Sequence, residues 1–582
     1  MSIALHGIGV ARGIAIGKAH ILVRDQLEIS EYCVAREFVE DEVRRLDEAT
    51  VLARQQLRAI RGHIPRNTAP DIAAFIDTHV LMLEDAALSQ EPARLIRERR
   101  CNAEWALRLQ RDALVAVFEE MDDPYLRTRK DDVDHVVHRI QRILQNQGPL
   151  RHEVPDSRLA GYIIVADDLT PADTVVMQHH GIAAFVTEYG AATSHTAILA
   201  RSLGIPSIVA LHQARRYVRE DDVLIVDGGK GVVVLDPDAR TLEYYRGLQR
   251  RERDDLAELG KLKGAPARTE DGIAVVLEAN IELPKDFESV LTVGATGVGL
   301  YRTEYLYMNR PEPPDEGEHF EVYAEVLRLL ESLPITIRTL DIGADKEMDG
   351  GARGDRPGAA NPALGLRAVR LCLKEPGLFL PQLRAILRAS ALGPVRLLIP
   401  MLASLQELHQ VLAIIEGIRQ ELRAASIPFD PNMPIGGMIE VPAAAVCADL
   451  FARELDFLSI GTNDLIQYTM AIDRVNDEVS YLYDPLNLGV LRLIKTTIDA
   501  AGCCDIPVSM CGEMAGDLRY VRLLLGLGLR RFSVHPAVLL EVKRIVNSTS
   551  FAVATTLAGQ LLNSRSPSEA RELLERINSG GG

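Results

Sequence analysis

Cysteine is scarce in this sequence, and its pattern bears on two classes at once. The seven cysteines stand at positions 33, 101, 372, 447, 503, 504 and 511. The number is odd and no C-x-x-C pair occurs, so neither a disulfide framework nor a zinc site is expected, and a reducing, cytoplasmic compartment is. No apolar run approaches the roughly 18 uninterrupted residues a membrane helix needs. The opening stretch, MSIALHGIGVARGIAIGKAHIL, lacks a charged n-region followed by a single apolar block. It alternates apolar residues with glycine and reads as strand and turn rather than as an export signal. Net positive charge is absent as well. The formal charge is −17, which makes a poor nucleic-acid binder and would steer a basic protein partner toward the chain.

What is there is long and compositionally ordinary. The 582 residues exceed one core and imply two to four domains. Residues 1–22 read as short strands with glycine turns. From about 35 to 146 the pattern is helical: Val39, Val43, Leu46, Thr50, Ala53, Leu57 and Ile60 recur in alternating steps of four and three, one helix face. Strand signals return at 162–165 and 223–226. The expectation is an α/β unit made of residues 1–30 and 147–236, with a helical bundle, 31–146, inserted into it. Residues 237–264 are charged, helix-prone and weakly periodic, and read as a solvated linker helix.

Between 265 and 575 eight apolar strand candidates follow one another: 273–278, 297–301, 335–340, 395–400, 435–439, 456–460, 507–510 and 530–534. Eight strand–helix units in this length fit a (β/α)8 TIM barrel, with residues 576–582 left as a flexible tail. A doubly wound open sheet competes but needs no eight similar units. Polar residues cluster where the strands are expected to end: Glu278 and Asn280, Arg302 and Glu304, Arg338 and Asp341, Glu440, Asn463 and Asp464, Cys511 and Glu513. That rim is where barrels of this kind build active sites.

His195 lies in Glu188-Tyr189-Gly190-Ala191-Ala192-Thr193-Ser194-His195-Thr196, after the apolar strand 182–186 and before a helix-like run. A neutral imidazole at a helix start, among small residues, can attack phosphorus in line, and the backbone N–H groups there can stabilise phosphoryl oxygens. The string T-S-H-T-A-I-L-A-R-S-L-G-I-P, residues 193–206, closely resembles the phosphohistidine segment of enzyme I of the bacterial sugar phosphotransferase system. It is also similar to those of pyruvate phosphate dikinase and phosphoenolpyruvate synthase. The resemblance covers almost the whole chain in the same domain order. Enzyme I usually has Gly-Gly-Arg before Thr-Ser-His, where this chain has Gly190-Ala191-Ala192, which removes one charge-assisted phosphate contact. Thr174, in the segment L-T-P-x-x-T, is implied by the resemblance to hydrogen-bond the histidine and set its tautomer.

The resemblance implies phosphoenolpyruvate as phosphoryl donor, a small dianion suited to guanidinium forks and a hard cation. Arg302, Arg338 and Arg474 resemble the family's substrate arginines, and Arg367 a further arginine near the phosphate. Glu440, in G-G-M-I-E-V-P, and Asp464, in G-T-N-D-L-I-Q-Y, suit magnesium. Asn463 is placed to donate to the substrate. Cys511, in V-S-M-C-G-E-M-A-G-D, matches the catalytic cysteine, a suitable acid for protonating the enolate to pyruvate. The implied partner is the histidine carrier protein HPr, docked on the insert, where Asp71, Asp77, Glu84 and Asp85 would attract a basic surface. A homodimer through the barrel is also implied. An ATP-using dikinase would need a further nucleotide-grasp domain, for which the chain has no room. A non-catalytic binder of the carrier would not need the rim residues.

Overall fold

This computed structural model describes residues 2–22, 29–63, 70–119, 124–145, 159–167, 169, 177, 181–190, 200, 204–212, 214–282, 286–307, 310, 312–342, 362–474 and 479–579. The chain divides into two compact units, Met1–Asp254 and Asp255–Gly582.

The first unit is built on one eight-stranded sheet. Its strands are β1 (Ile3–His6), β2 (Ile8–Ala11), β3 (Ile14–Leu22), β4 (Ile163–Ala166), β5 (Ala184–Thr187), β6 (Ser207–Val209), β7 (Val223–Asp227) and β8 (Val232–Leu235), in the order β1-β8-β7-β3-β4-β5-β6-β2. β3 to β6 run parallel, and the flanking pairings are antiparallel. Every residue of β4 and β5 is buried, which explains their unbroken apolar runs. Between β3 and β4 the chain forms a set of helices that includes Val39–His63, Pro70–Glu84, Ala103–Glu119 and Pro124–Leu144. The periodic set from Val39 to Ile60 is buried at all seven positions, so the helical period did mark the inward face.

Helix Ala239–Lys261 corrects the reading of a solvated linker. Its first half packs on the sheet: Leu242, Tyr245 and Leu248, three residues apart on one face, meet Ile225 and Val234. Three apolar residues among many charges were too sparse to register as a periodic stripe.

The second unit is a closed parallel barrel. Its strands are β9 (Val276–Ile281), β10 (Val298–Tyr301), β11 (Ile335–Arg338), β12 (Val395–Ile399), β13 (Ile435–Ile439), β14 (Phe457–Ile460), β15 (Val508–Met510) and β16 (Arg531–Val534), with β16 pairing back to β9. One continuous apolar core fills the space between strands and outer helices. The first strand begins three residues later than the sequence suggests, because 273–275 belongs to a short antiparallel excursion in which Ala274 bridges Arg268. Glu278 therefore lies inside the barrel rather than on its rim, paired at 2.6 Å with Arg396 near the start of β12. The expected tail is also corrected in part: helix Pro567–Asn578 runs through residues 576–578, and Ile577 is buried in the core. Among the described residues no helix is long and apolar enough to cross a membrane.

Candidate active site at the barrel rim

The C-terminal ends of the barrel strands bring most of the expected rim residues into one charged network. Arg338, the last residue of β11, is nearly buried. It donates to Glu304 at 2.7 Å and contacts Asp341 at 3.0 Å. Asp341 also takes two bonds from Arg367, through Nε at 3.1 Å and Nη2 at 2.8 Å. Arg367 reaches on to Asp464 at 3.4 Å and to the Tyr468 hydroxyl at 3.3 Å. A single carboxylate thus holds two guanidinium groups side by side. The two arginines and Arg302 pull the Asp341 carboxyl below its usual range, against the opposing effect of burial.

Glu440 directly follows β13 and is buried. Its Oε1 accepts the Met401 N–H at 2.6 Å. Burial first, and then repulsion from Asp464 and Asp341, push the Glu440 carboxyl up to about 8, with Arg338 opposing. Asp464 sits in the first turn of helix Thr462–Met470, which starts two residues after β14. Gly461 makes this close approach possible, since a Cβ there would lie 2.7 Å from Glu440 Oε2. Three carboxylates, Asp341, Glu440 and Asp464, therefore meet Arg338 and Arg367; both arginines are engaged by Asp341, and Asp464 takes only a longer contact, 3.4 Å, from Arg367. That is a donor set suited to a hard divalent cation, which prefers carboxylate oxygens.

Cys511 follows β15, buried. Its thiol accepts from the Ser459 hydroxyl at 3.3 Å and lies 3.7 Å from the Ile460 carbonyl, while its own carbonyl accepts the Asn280 amide at 2.9 Å. Burial pushes the thiol up, and Glu440, Arg338 and Arg302 all act on it electrostatically. Asn280 is in turn held by Ser533 at 2.6 Å. Gly512 admits Thr462 so closely that a Cβ would come within 2.0 Å of its Oγ1.

Two expected substrate residues form a neighbouring group. The Asn463 amide donates to Glu513 Oε1 at 3.0 Å, and its oxygen accepts the Glu513 N–H at 2.9 Å. Arg474 contacts Glu513 at 3.5 Å. Glu513, Arg474 and Asp464 all act on the Tyr483 hydroxyl, so this group adjoins the first. Arg302 is anchored by Glu282 across the loop after β9. His195 and Thr174 lie outside the described residues. The chain approaches the His195 segment through β5 and Gly190, whose φ of +114° suits glycine. On the insert, the acidic residues are partly neutralised: Asp77 pairs with Arg61, Glu84 with Arg58, and Asp85 caps the helix Ala86–Ser89.

Sequence reasoning gave Asp341 no role beyond a rim position, and it missed Met401, Tyr468 and Gln382. Gln382 receives the Leu340 N–H at 2.9 Å and donates to Thr303 at 2.9 Å, so it fixes the β10 and β11 ends. Met401 adopts φ +58°, a conformation no motif announces.

Three family models match this chain. Residues 256–551 match the PEP-binding domain of PEP-utilising enzymes, residues 6–129 their N-terminal domain, and residues 159–231 their mobile domain. The barrel is thus the PEP-binding domain of a PEP-utilising enzyme. Curated relatives sharpen that class. A phosphoenolpyruvate-protein phosphotransferase of Cupriavidus necator is 47% identical over 586 residues, covering 99% of this chain and 100% of the relative. One of Listeria monocytogenes is 40% identical over 581 residues, covering 100% of both. One of Staphylococcus aureus is 40% identical over 575 residues, covering 99% of both. The chain belongs to the phosphoenolpyruvate-protein phosphotransferase family, transferases that carry out phosphoenolpyruvate-dependent phosphotransfer.

Proposed function

We propose that the chain takes a phosphoryl group from phosphoenolpyruvate onto His195 and passes it to a histidine of the carrier protein HPr, opening sugar uptake in the cytoplasm. The observation that carries this reading is the convergence of Arg302, Arg338, Arg367, Glu440, Asp464 and Cys511 on one barrel rim. Arg302 and Arg338, with Arg474 and Asn463, bind the phosphate and carboxylate of the substrate, and Arg367 supports them. Binding would draw Asn463 and Arg474 from Glu513 toward the anion. Glu440 and Asp464 would hold magnesium, which supplies Lewis-acid charge to substrate oxygens when bound.

An imidazole nitrogen of His195 attacks phosphorus, with Thr174 fixing its tautomer. The bond from phosphorus to the enol oxygen breaks, and its electron pair stays on that oxygen. The methylene carbon then takes a proton from the Cys511 thiol, giving pyruvate, and the thiolate regains its proton from water. A thiol pushed up by burial is held in the protonated form this step uses. Residues 31–146 serve as the docking insert for HPr, residues 1–30 and 147–236 as the phosphohistidine domain, 237–264 as the linker and 265–575 as the substrate barrel. The barrel forms a homodimer.

The test is labelling with phosphoenolpyruvate that carries labelled phosphorus, with magnesium, in wild type and His195→Ala. Acid-labile label is expected in wild type alone and should transfer to added HPr. Acid-labile label that persists in the variant would reject the assignment.

A further inference from the structure

The absence of paired cysteines argued against a zinc site, but it says nothing of histidine and aspartate. Inside the helical insert, His79 on Pro70–Glu84 meets Asp132 and His135 on Pro124–Leu144. One ligating atom from each residue lies within 4.8 Å of the others. Asp132 and His135 are three positions apart, so one helix face presents both. The His79 and Asp132 side chains are each only 5% exposed, and His135 is partly buried. The two helices pack against each other, with Ile76, Leu83, Val136 and Ile140 buried along them. His79 and Asp132 already share a hydrogen bond, and the second imidazole beside them completes a set of three donors of the kind a metal ion uses.

We propose that His79, Asp132 and His135 bind one borderline divalent transition-metal ion, with zinc as the probe, that staples the two helices together. Two imidazoles and a carboxylate form a donor set that zinc and its first-row neighbours accept and that magnesium does not favour. The separation fits too. With bonds of about 2.0–2.1 Å, tetrahedral ligand atoms lie roughly 3.4 Å apart, and His79 Nε2 stands 3.4 Å from the Asp132 carboxylate. The His79 and His135 rings are 6.2 Å apart between centroids and inclined at 61°, an edge-on arrangement rather than a stack. The site is built wholly from the insert, and its donor chemistry differs from that of the Glu440–Asp464 pair.

The full chain is stripped with a chelator and re-equilibrated with zinc in excess magnesium, which occupies the carboxylate site. Zinc retained per chain, affinity by chelator competition and melting temperature are measured for wild type, Asp132→Asn and His135→Ala. The expected result is one zinc per chain, a rise in melting temperature, and affinity weakened by more than about 100-fold in each variant, beyond the roughly 10–100-fold that loss of an outer partner alone costs. Cobalt substitution in wild type gives a reading that does not depend on a variant folding. Intense tetrahedral visible absorption is expected, lost in His79→Ala. Substoichiometric zinc, unchanged affinity in the variants, or a cobalt spectrum of the hexa-aqua ion would each overturn the proposal and leave the triad a buried hydrogen-bonded cluster.

Discussion

Gly461 and Glu440 are in contact such that no side chain fits between them: a Cβ on Gly461 would lie 2.7 Å from Glu440 Oε2 and 3.0 Å from its Cβ. Gly461 has φ −92°, which alanine adopts freely, so the constraint is steric and not conformational. Gly461→Ala should displace the Glu440 carboxylate, at about 1–3 kcal/mol of overpacking. The expected outcome is a small drop in melting temperature with a much larger loss of phosphoenolpyruvate-dependent self-phosphorylation. Equal loss of both would point to general unfolding.

Asp341 bridges Arg338 and Arg367 with its two oxygens. Asparagine keeps the shape and cannot accept from both guanidinium groups. Breaking a buried pair in this way costs on the order of 3 kcal/mol. For Asp341→Asn we expect a raised KM for phosphoenolpyruvate and a fall in kcat/KM of at least about tenfold, since about 1.4 kcal/mol suffices for that factor. Steady-state pyruvate release measures both.

Glu440 titrates high because burial and two neighbouring carboxylates oppose its charge. Its folded value lies above its unfolded one, so its contribution to stability is present at low pH and is lost as pH rises toward about 8. In chelator, Glu440→Gln should therefore melt higher than wild type at pH 8 and the gap should close near pH 4. Magnesium binding near pH 7 should release a proton, read by calorimetry in buffers of different ionisation enthalpy, and the release should vanish in Glu440→Gln.

His319 behaves in the opposite sense. It is buried between the Tyr307 and Tyr323 hydroxyls, each 3.1 Å from a ring nitrogen, and burial lowers it from 6.5 to about 4. The unfolded chain binds the extra proton first, so stability present above about 6.5 is lost as pH falls toward 4, to a limit of order 3 kcal/mol. His319→Gln should show a shallower fall in melting temperature over that window.

Much of this architecture was legible in one dimension. The run from Val39 to Ile60 carries the helical period because one face is buried, and the apolar strands of the barrel stand out because both their faces are. Leu242, Tyr245 and Leu248 are too few among charges to predict a docked face. The start of β9 was placed three residues early because 273–275 is as apolar as the strand that follows.

The residue types at the rim were written in the sequence: arginines, two carboxylates and a cysteine, most of them at or just after the end of an apolar strand, where a barrel carries its site. Their grouping was not. That Asp341 serves both Arg338 and Arg367, that Asn463 and Arg474 share Glu513, and that Met401 offers its N–H to Glu440 depend on barrel closure, which brings together loops far apart in the chain. Distances between such loops are set by packing, and no local pattern encodes them.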